Sequence, residues 1–196
     1  MYVLISGKKA LVIDPCCPWD ETGLDDVKVK AVFCTHGHFD HIEAADDIVA
    51  RFSCPLLISA EDRGMLNDPS KNHSLSFGIN VCENSESIPF PASVMSNSDF
   101  DMDDCEPFSL QIIPTPGHTS GSVCFLFSLP DSEQRIMFTG DMLFRRSIGR
   151  TDLGGSDIDM SKSIDLLKSM EDDIICYPGH GTKTCLGDEK RLNPFF

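Results

Sequence analysis

The stretch THGHFDH, residues 35–41, constrains this chain more than any other. His36, His38, Asp40 and His41 fall within six residues of a sequence that holds only six histidines. The run before it, KAVFCT (30–35), is short and apolar and reads as a buried strand. After it, Ile42, Ala45, Ile48, Val49 and Phe52 recur at helical spacing. The cluster therefore belongs to a strand-to-helix loop.

The same arrangement recurs downstream. His118 lies in TPGHTSGS after the strand-like IIPT, Asp141 in FTGD after RIMF, and His180 in YPGHG after DIIC. Each follows an apolar run with a glycine close by, so the backbone can approach these side chains closely. Functional groups on the loops at strand ends can converge on one point. Imidazoles and carboxylates without thiolates suit zinc, iron, manganese or nickel. Five histidines and two aspartates exceed what one open catalytic site needs. They fit two metals that share a carboxylate, an arrangement that lowers the pKa of a bridging water and clamps both ends of a hydrolysis. The sixth histidine, His73 in SKNHSL, reads as an ordinary surface or core residue.

The remaining pattern supplies a frame for these loops. YVLIS-GKK-ALVID reads as a hairpin, and PLLIS (55–59) as a strand followed by a short helix in AEDRGML. Residues 67–107 are poorly patterned, with four prolines and the acidic run SDFDMDDCE. That run imitates the start of a calcium loop, but Asp104 stands where the loop requires glycine and Leu110 where it requires glutamate. SLQIIPT, SVCFLFS and RIMFTGD are three further strands, and Met160, Ile164, Leu167 and Met170 mark another amphipathic helix. DIICYPG is a last strand before a short tail. Two sheets with helices outside them are expected, in one domain over residues 1–196.

Charge and cysteine content narrow the function classes. With 31 acidic and 16 basic residues the formal charge is −15, which argues against nucleic acid and anionic membranes as partners. A small-molecule substrate is expected instead. Nine scattered cysteines without C-x-x-C read as reduced thiols, and the opening residues do not read as a signal peptide. The expected location is the cytoplasm.

T-H-x-H-x-D-H, P-G-H-T, G-D after a strand and P-G-H-G, in this order, resemble the metallo-β-lactamase superfamily over nearly the whole chain. The resemblance implies an α+β fold, an αβ/βα four-layer sandwich of two mixed sheets with outer helices. It implies that His36, His38 and His118 hold one metal and Asp40, His41 and His180 a second, with Asp141 bridging. The cofactors it implies are two divalent ions, zinc first, with iron or manganese as alternatives. FTGDMLFRRSIGRTDLGGS and EKRLNPFF look most like the single-domain, glyoxalase II-like (hydroxyacylglutathione hydrolase-like) hydrolases. The expected activity is hydrolysis of a glutathione-type thioester, with Asp40 and Asp141 fixing metals and hydroxide and Arg150 holding a substrate carboxylate.

The sequence departs from that group in places. Only Gly181 to Phe196 follow His180, where two-domain relatives carry a glutathione-gripping helical domain. Asp152 stands near a position where an aromatic residue is usual, DPCC replaces a D-P-G turn, and an edge strand before Tyr2 is expected to be missing. GRTD also resembles persulfide dioxygenases, which would bind one iron through His36, His118 and Asp141. A non-catalytic metal-binding or sensing protein is the third alternative.

Overall fold

β-Branched and aromatic runs at both ends of the chain set the strands. The computed structural model describes residues 1–90, 95–96, 108–128 and 133–196. The acidic run and its calcium-loop likeness, apart from Leu110, lie outside the described residues. By internal contacts the chain divides into Met1–Pro91 and Ala92–Phe196.

The first unit carries a five-stranded sheet in the order β1 (Tyr2–Ser6), β2 (Lys9–Ile13), β3 (Lys28–Phe33), β4 (Leu56–Ser59) and β5 (Ser87–Phe90). The expected hairpin is present: β1 and β2 pair antiparallel from Tyr2↔Ile13 to Ser6↔Lys9. The remaining neighbours are parallel, so the sheet is mixed. β3 and β4 are nearly continuous in apolar residues because both faces are buried. On one face Ala10, Val12, Val32, Leu56 and Ile58 pack with Ile42, Ala45 and Ile48 from the helical segment.

That helical segment is not one helix. It is α1 (Phe39–Ile42) followed by α2 (Ala45–Phe52). The Ala44 N–H donates to the Pro15 carbonyl at 2.9 Å instead of to a helical partner, and this breaks the ladder. The apolar spacing survives the break because both pieces face the same core. Residues Arg63–Met65 form a single 3-10 turn. β5 was not foreseen: Pro89 disguises it, and proline is tolerated because β5 closes the sheet's edge.

The second unit carries a six-stranded mixed sheet. Its strands are β6 (Met95–Ser96), β7 (Ser109–Pro114), β8 (Val123–Ser128), β9 (Arg135–Gly140), β12 (Ile175–Pro178) and β13 (Thr184–Cys185), in the order β13-β12-β9-β8-β7-β6. Only β12 and β9 run parallel. β10 (Leu143–Phe144) and β11 (Ser147–Ile148) form a separate small hairpin. Met160, Ile164 and Leu167 of α3 (Asp157–Lys168) pack on Ile113, Cys124, Met137 and Cys176, with Leu186 of α4 (Leu186–Leu192) beside them. Ser156 caps α3 by accepting the Asp159 N–H at 3.2 Å. Helix α3 stops at Lys168, so Met170 contributes from beyond its end.

The expected α+β class, with two mixed sheets and helices, is the one observed. β10, β11, β13 and α4 were hidden because each is too short to show a period. Among the described residues no helix is long and apolar enough to cross a membrane.

Candidate metal centre

In the first unit, β3 ends at Phe33 and the chain turns at once into the histidine loop. His36 and His38 are buried on that loop, and Asp40 and His41 lie in α1. Ligand atoms of His36 lie within 4.8 Å of those of His38 and of His41. His41 Nε2 is 3.9 Å from Asp40 Oδ2.

Asp14, just past the end of β2, organises this loop. Its Oδ1 accepts the Thr35 N–H at 2.7 Å, and its Oδ2 accepts the Thr35 hydroxyl at 2.8 Å. The same Oδ2 lies 2.9 Å from His41 Nδ1. Because the Thr35 hydroxyl proton is committed to Asp14, its oxygen accepts from His36 Nδ1 at 3.1 Å. Both imidazoles thus carry their proton on Nδ1 and keep a lone pair on Nε2. The Nε2 atoms of His36, His38 and His41 are buried.

The loop's path is held by a second buried carboxylate. Asp62 Oδ2 accepts the Gly37 N–H at 3.0 Å. A Cβ on Gly37 would come within 2.6 Å of Met65 Cβ, so no larger residue fits between the two histidines. Asn72, fully buried, accepts the Phe39 N–H on its carbonyl at 3.0 Å and anchors the start of α1. His73 is half-buried with its ring edge-on to His38, centroids 5.1 Å apart.

In the second unit three strand ends meet. His118 follows β7, Asp141 follows β9 and His180 follows β12. Asp141 Oδ2 lies 3.6 Å from His118 Nε2 and 3.5 Å from His180 Nε2. Its other oxygen, Oδ1, is buried. Here the backbone supplies the support. His118 Nδ1 donates to the Arg150 carbonyl at 2.6 Å, which again leaves Nε2 as the lone-pair nitrogen. The Gly179 N–H donates to the Gly140 carbonyl at 2.8 Å and ties the His180 loop to the Asp141 loop. A Cβ on Gly149 would lie 1.7 Å from the Asp141 carbonyl oxygen.

Arg150 contributes through its main chain. Its guanidinium is exposed and holds Asp152 in a two-point pair, Nε to Oδ1 at 2.5 Å and the second nitrogen to Oδ2 at 2.5 Å. That contact holds the Asp152 carboxyl down at about 2 and pushes the arginine up.

These side chains fit divalent metals. Seven nitrogen and oxygen donors are available, with no thiolate among them. Three histidines have Nδ1 engaged by an oxygen that orients the ring, the support that metal-binding imidazoles generally receive. Sequence reasoning missed Asp14 and Asp62. Asp14 was within reach of it, since ALVID is an apolar strand ending in a carboxylate, as FTGD is.

The family model of the metallo-beta-lactamase superfamily matches residues 1–180. Hydroxyacylglutathione hydrolase GloC of Haemophilus influenzae is 33% identical over 172 residues, 87% of this chain and 77% of that protein. Among solved structures, BLEG-1 B3 metallo-beta-lactamase matches with a TM-score of 0.84 and 32% identity, over 98% of this chain and 91% of its own. TTHA1623 in a di-iron-bound form matches with a TM-score of 0.78 and 27% identity, over 100% of this chain and 93% of its own. The chain belongs to the metallo-β-lactamase superfamily. That superfamily consists mostly of metal-dependent hydrolases that bind divalent metals, and its fold is the one seen here.

Proposed function

We propose that the protein is a dinuclear-metal hydrolase that cleaves a thioester of glutathione type. One divalent ion is assigned to His36, His38 and His118, a second to Asp40, His41 and His180, and Asp141 to both. Zinc is the first candidate, with iron or manganese as alternatives. The observation that carries this reading is the Asp14–Thr35 network, which fixes both His36 and His41 with Nε2 lone pairs. Such preparation serves a metal better than it serves stability alone. The likeness to a hydroxyacylglutathione hydrolase supports the choice of substrate.

The metals would supply a hydroxide at neutral pH and polarise the thioester carbonyl. The chain's own residues then do four things. Asp14 holds His41 and Thr35, and Thr35 holds His36. The Arg150 carbonyl holds His118. Asp141 presents Oδ2 midway between two imidazole nitrogens, a position from which one carboxylate can be shared. A thiolate leaves readily, so no protonated side chain is required at the leaving group. The substrate is a small molecule, and neither nucleic acid nor an anionic membrane suits a chain of charge −15.

The test is metal content on protein purified anaerobically without chelators, followed by a thioester panel. About two metals per chain and turnover of glutathione thioesters support the reading. One iron per chain with oxygen uptake on glutathione persulfide would replace it by the dioxygenase. A full metal complement without turnover on thioester, phosphoester or lactam would leave a metal-binding protein.

A further inference from the structure

The loop that follows β2 carries two thiols that the proposed chemistry does not use. Cys16 and Cys17 are adjacent, half-buried and enclosed by Pro15 and Pro18. Their thiols lie within hydrogen-bonding range of each other. Burial first, and then Cys16, push the Cys17 thiol up. The Cys16 sulfur also accepts from the Met1 amino group at 3.0 Å. The other thiols differ. Cys34, Cys54, Cys124 and Cys176 are buried, out of reach of a solute. Cys82 and Cys185 are accessible, but each thiol donates to a carbonyl, of Asn67 and of Asp172.

The pair sits between two anchors. Before it, Asp14 stands at φ +52, left-handed backbone that favours glycine. Its carboxylate bonds to Thr35 and His41 hold it there, and the Pro15 carbonyl accepts the Ala44 N–H at 2.9 Å. After the pair, the Trp19 N–H donates to Asp47 Oδ2 at 3.0 Å. Backbone strain at Asp14 therefore persists only while these bonds over-determine it. Adjacent Cα atoms are about 3.8 Å apart, whereas a relaxed disulfide spans about 4.4–6.8 Å. A bridge between Cys16 and Cys17 forces the peptide between them to rearrange, and such a strained bridge is easily reduced. Pro15, with its fixed φ, passes the displacement on to Asp14.

We propose that Cys16 and Cys17 form a reversible exchange site for small-molecule disulfides, and that oxidation of the pair loosens the Asp14 support of His41. The Cys16 thiolate attacks one sulfur of the small disulfide and expels one thiolate, which leaves a mixed disulfide on Cys16. Cys17, held protonated by burial, is the second nucleophile. It gives its proton to solvent, attacks the Cys16 sulfur and expels the second thiolate. Two electrons pass from the protein to the small molecule, which leaves as two thiols. The proposal rests on the assignment of His41 to a metal and is independent of the thioester reading.

The experiment treats the zinc-loaded protein with excess oxidised glutathione. The tryptic peptide spanning residues 10–28 holds these two cysteines and no other, so its mass reads the site directly. It should fall by the mass of a hydrogen molecule. Zinc binding, read by chelator competition, should weaken about tenfold and recover with dithiothreitol. The double variant Cys16→Ser, Cys17→Ser should keep its zinc affinity through the same treatment. A peptide that stays reduced, or that carries glutathione without closing the bridge, overturns the proposal. So does a closed bridge with unchanged zinc affinity. An equal loss in the double variant would place the effect at another thiol and overturn it as well. If the wild type binds no zinc before treatment, the metal assignment and the coupling fail together, whereas the peptide mass still decides the exchange site.

Discussion

The two sets of candidate ligands are supported in different ways. In the first unit four of them crowd the turn from His36 to His41, and side chains hold them: Asp14 through Thr35 and His41, and Asp62 through Gly37. In the second unit three ligands come from three separate strand ends, and backbone carbonyls hold them: that of Arg150 on His118 and that of Gly140 on the Gly179 N–H. A local cluster crowds like groups together and needs dedicated polar partners to settle each tautomer. A dispersed set is spaced by the sheet, and the main chain suffices. The first unit's support can therefore be removed by point mutation, whereas the second unit's survives the loss of most side chains.

The largest expected effect is on the shared carboxylate. Asp141→Asn should cut thioester turnover by orders of magnitude and lower metal content, measured by steady-state kinetics and elemental analysis. A variant with near-normal values for both would refute the bridging assignment.

Removal of a side-chain support comes next. Asp14→Ala should weaken metal binding by roughly 10- to 100-fold in a chelator competition, with the fold retained by circular dichroism. Arg150→Ala keeps the carbonyl that His118 uses, so its metal affinity should change by less than about threefold. Equal losses in the two variants would erase the distinction between the units.

The arginine–carboxylate pairs extend the comparison to stability. Glu189 is buried and satisfies Arg146, Thr184 and Asn193, whereas Asp152 and Arg150 are exposed partners of one another. Glu189→Ala should cost about 3 kcal/mol in denaturant unfolding. Asp152→Ala should stay within about 0.5 kcal/mol. A small loss at Glu189 would show that the buried pair adds no more stability than the exposed one.

A pH-dependent effect concerns Glu83, which accepts the Asp46 N–H at 2.5 Å. Burial first, then neighbouring carboxylates, push its carboxyl up from 4.5 to about 6. A raised folded pKa means that the protonated form is favoured in the fold. Its stabilising contribution is therefore complete below 4.5 and is lost as pH rises through 6. Glu83→Gln should match the wild type below pH 4.5 and exceed it by about 2 kcal/mol above pH 7. Parallel unfolding curves across that range would contradict the shift.

Much of this was legible before any coordinates. The strands KAVFCT, SVCFLFS and RIMFTGD are apolar because they are buried, and burial is what a period records. The break between α1 and α2 was not legible, because the Ala44 N–H finds Pro15, a partner 29 positions away in sequence. β5 was masked by Pro89, which only an edge position excuses. Asp14 was overlooked because it ends its strand without a histidine or glycine beside it to draw notice.

By itself the sequence determined the ligand types, their order along the chain and the family, since donor chemistry and strand-end spacing are local properties. Only the tertiary structure decided which nitrogen of His36, His41 and His118 bears the proton. It also decided that Arg146 is committed to Glu189. Those choices depend on hydrogen-bond partners that the sheets bring together from distant parts of the chain, and separation along the sequence carries no record of them.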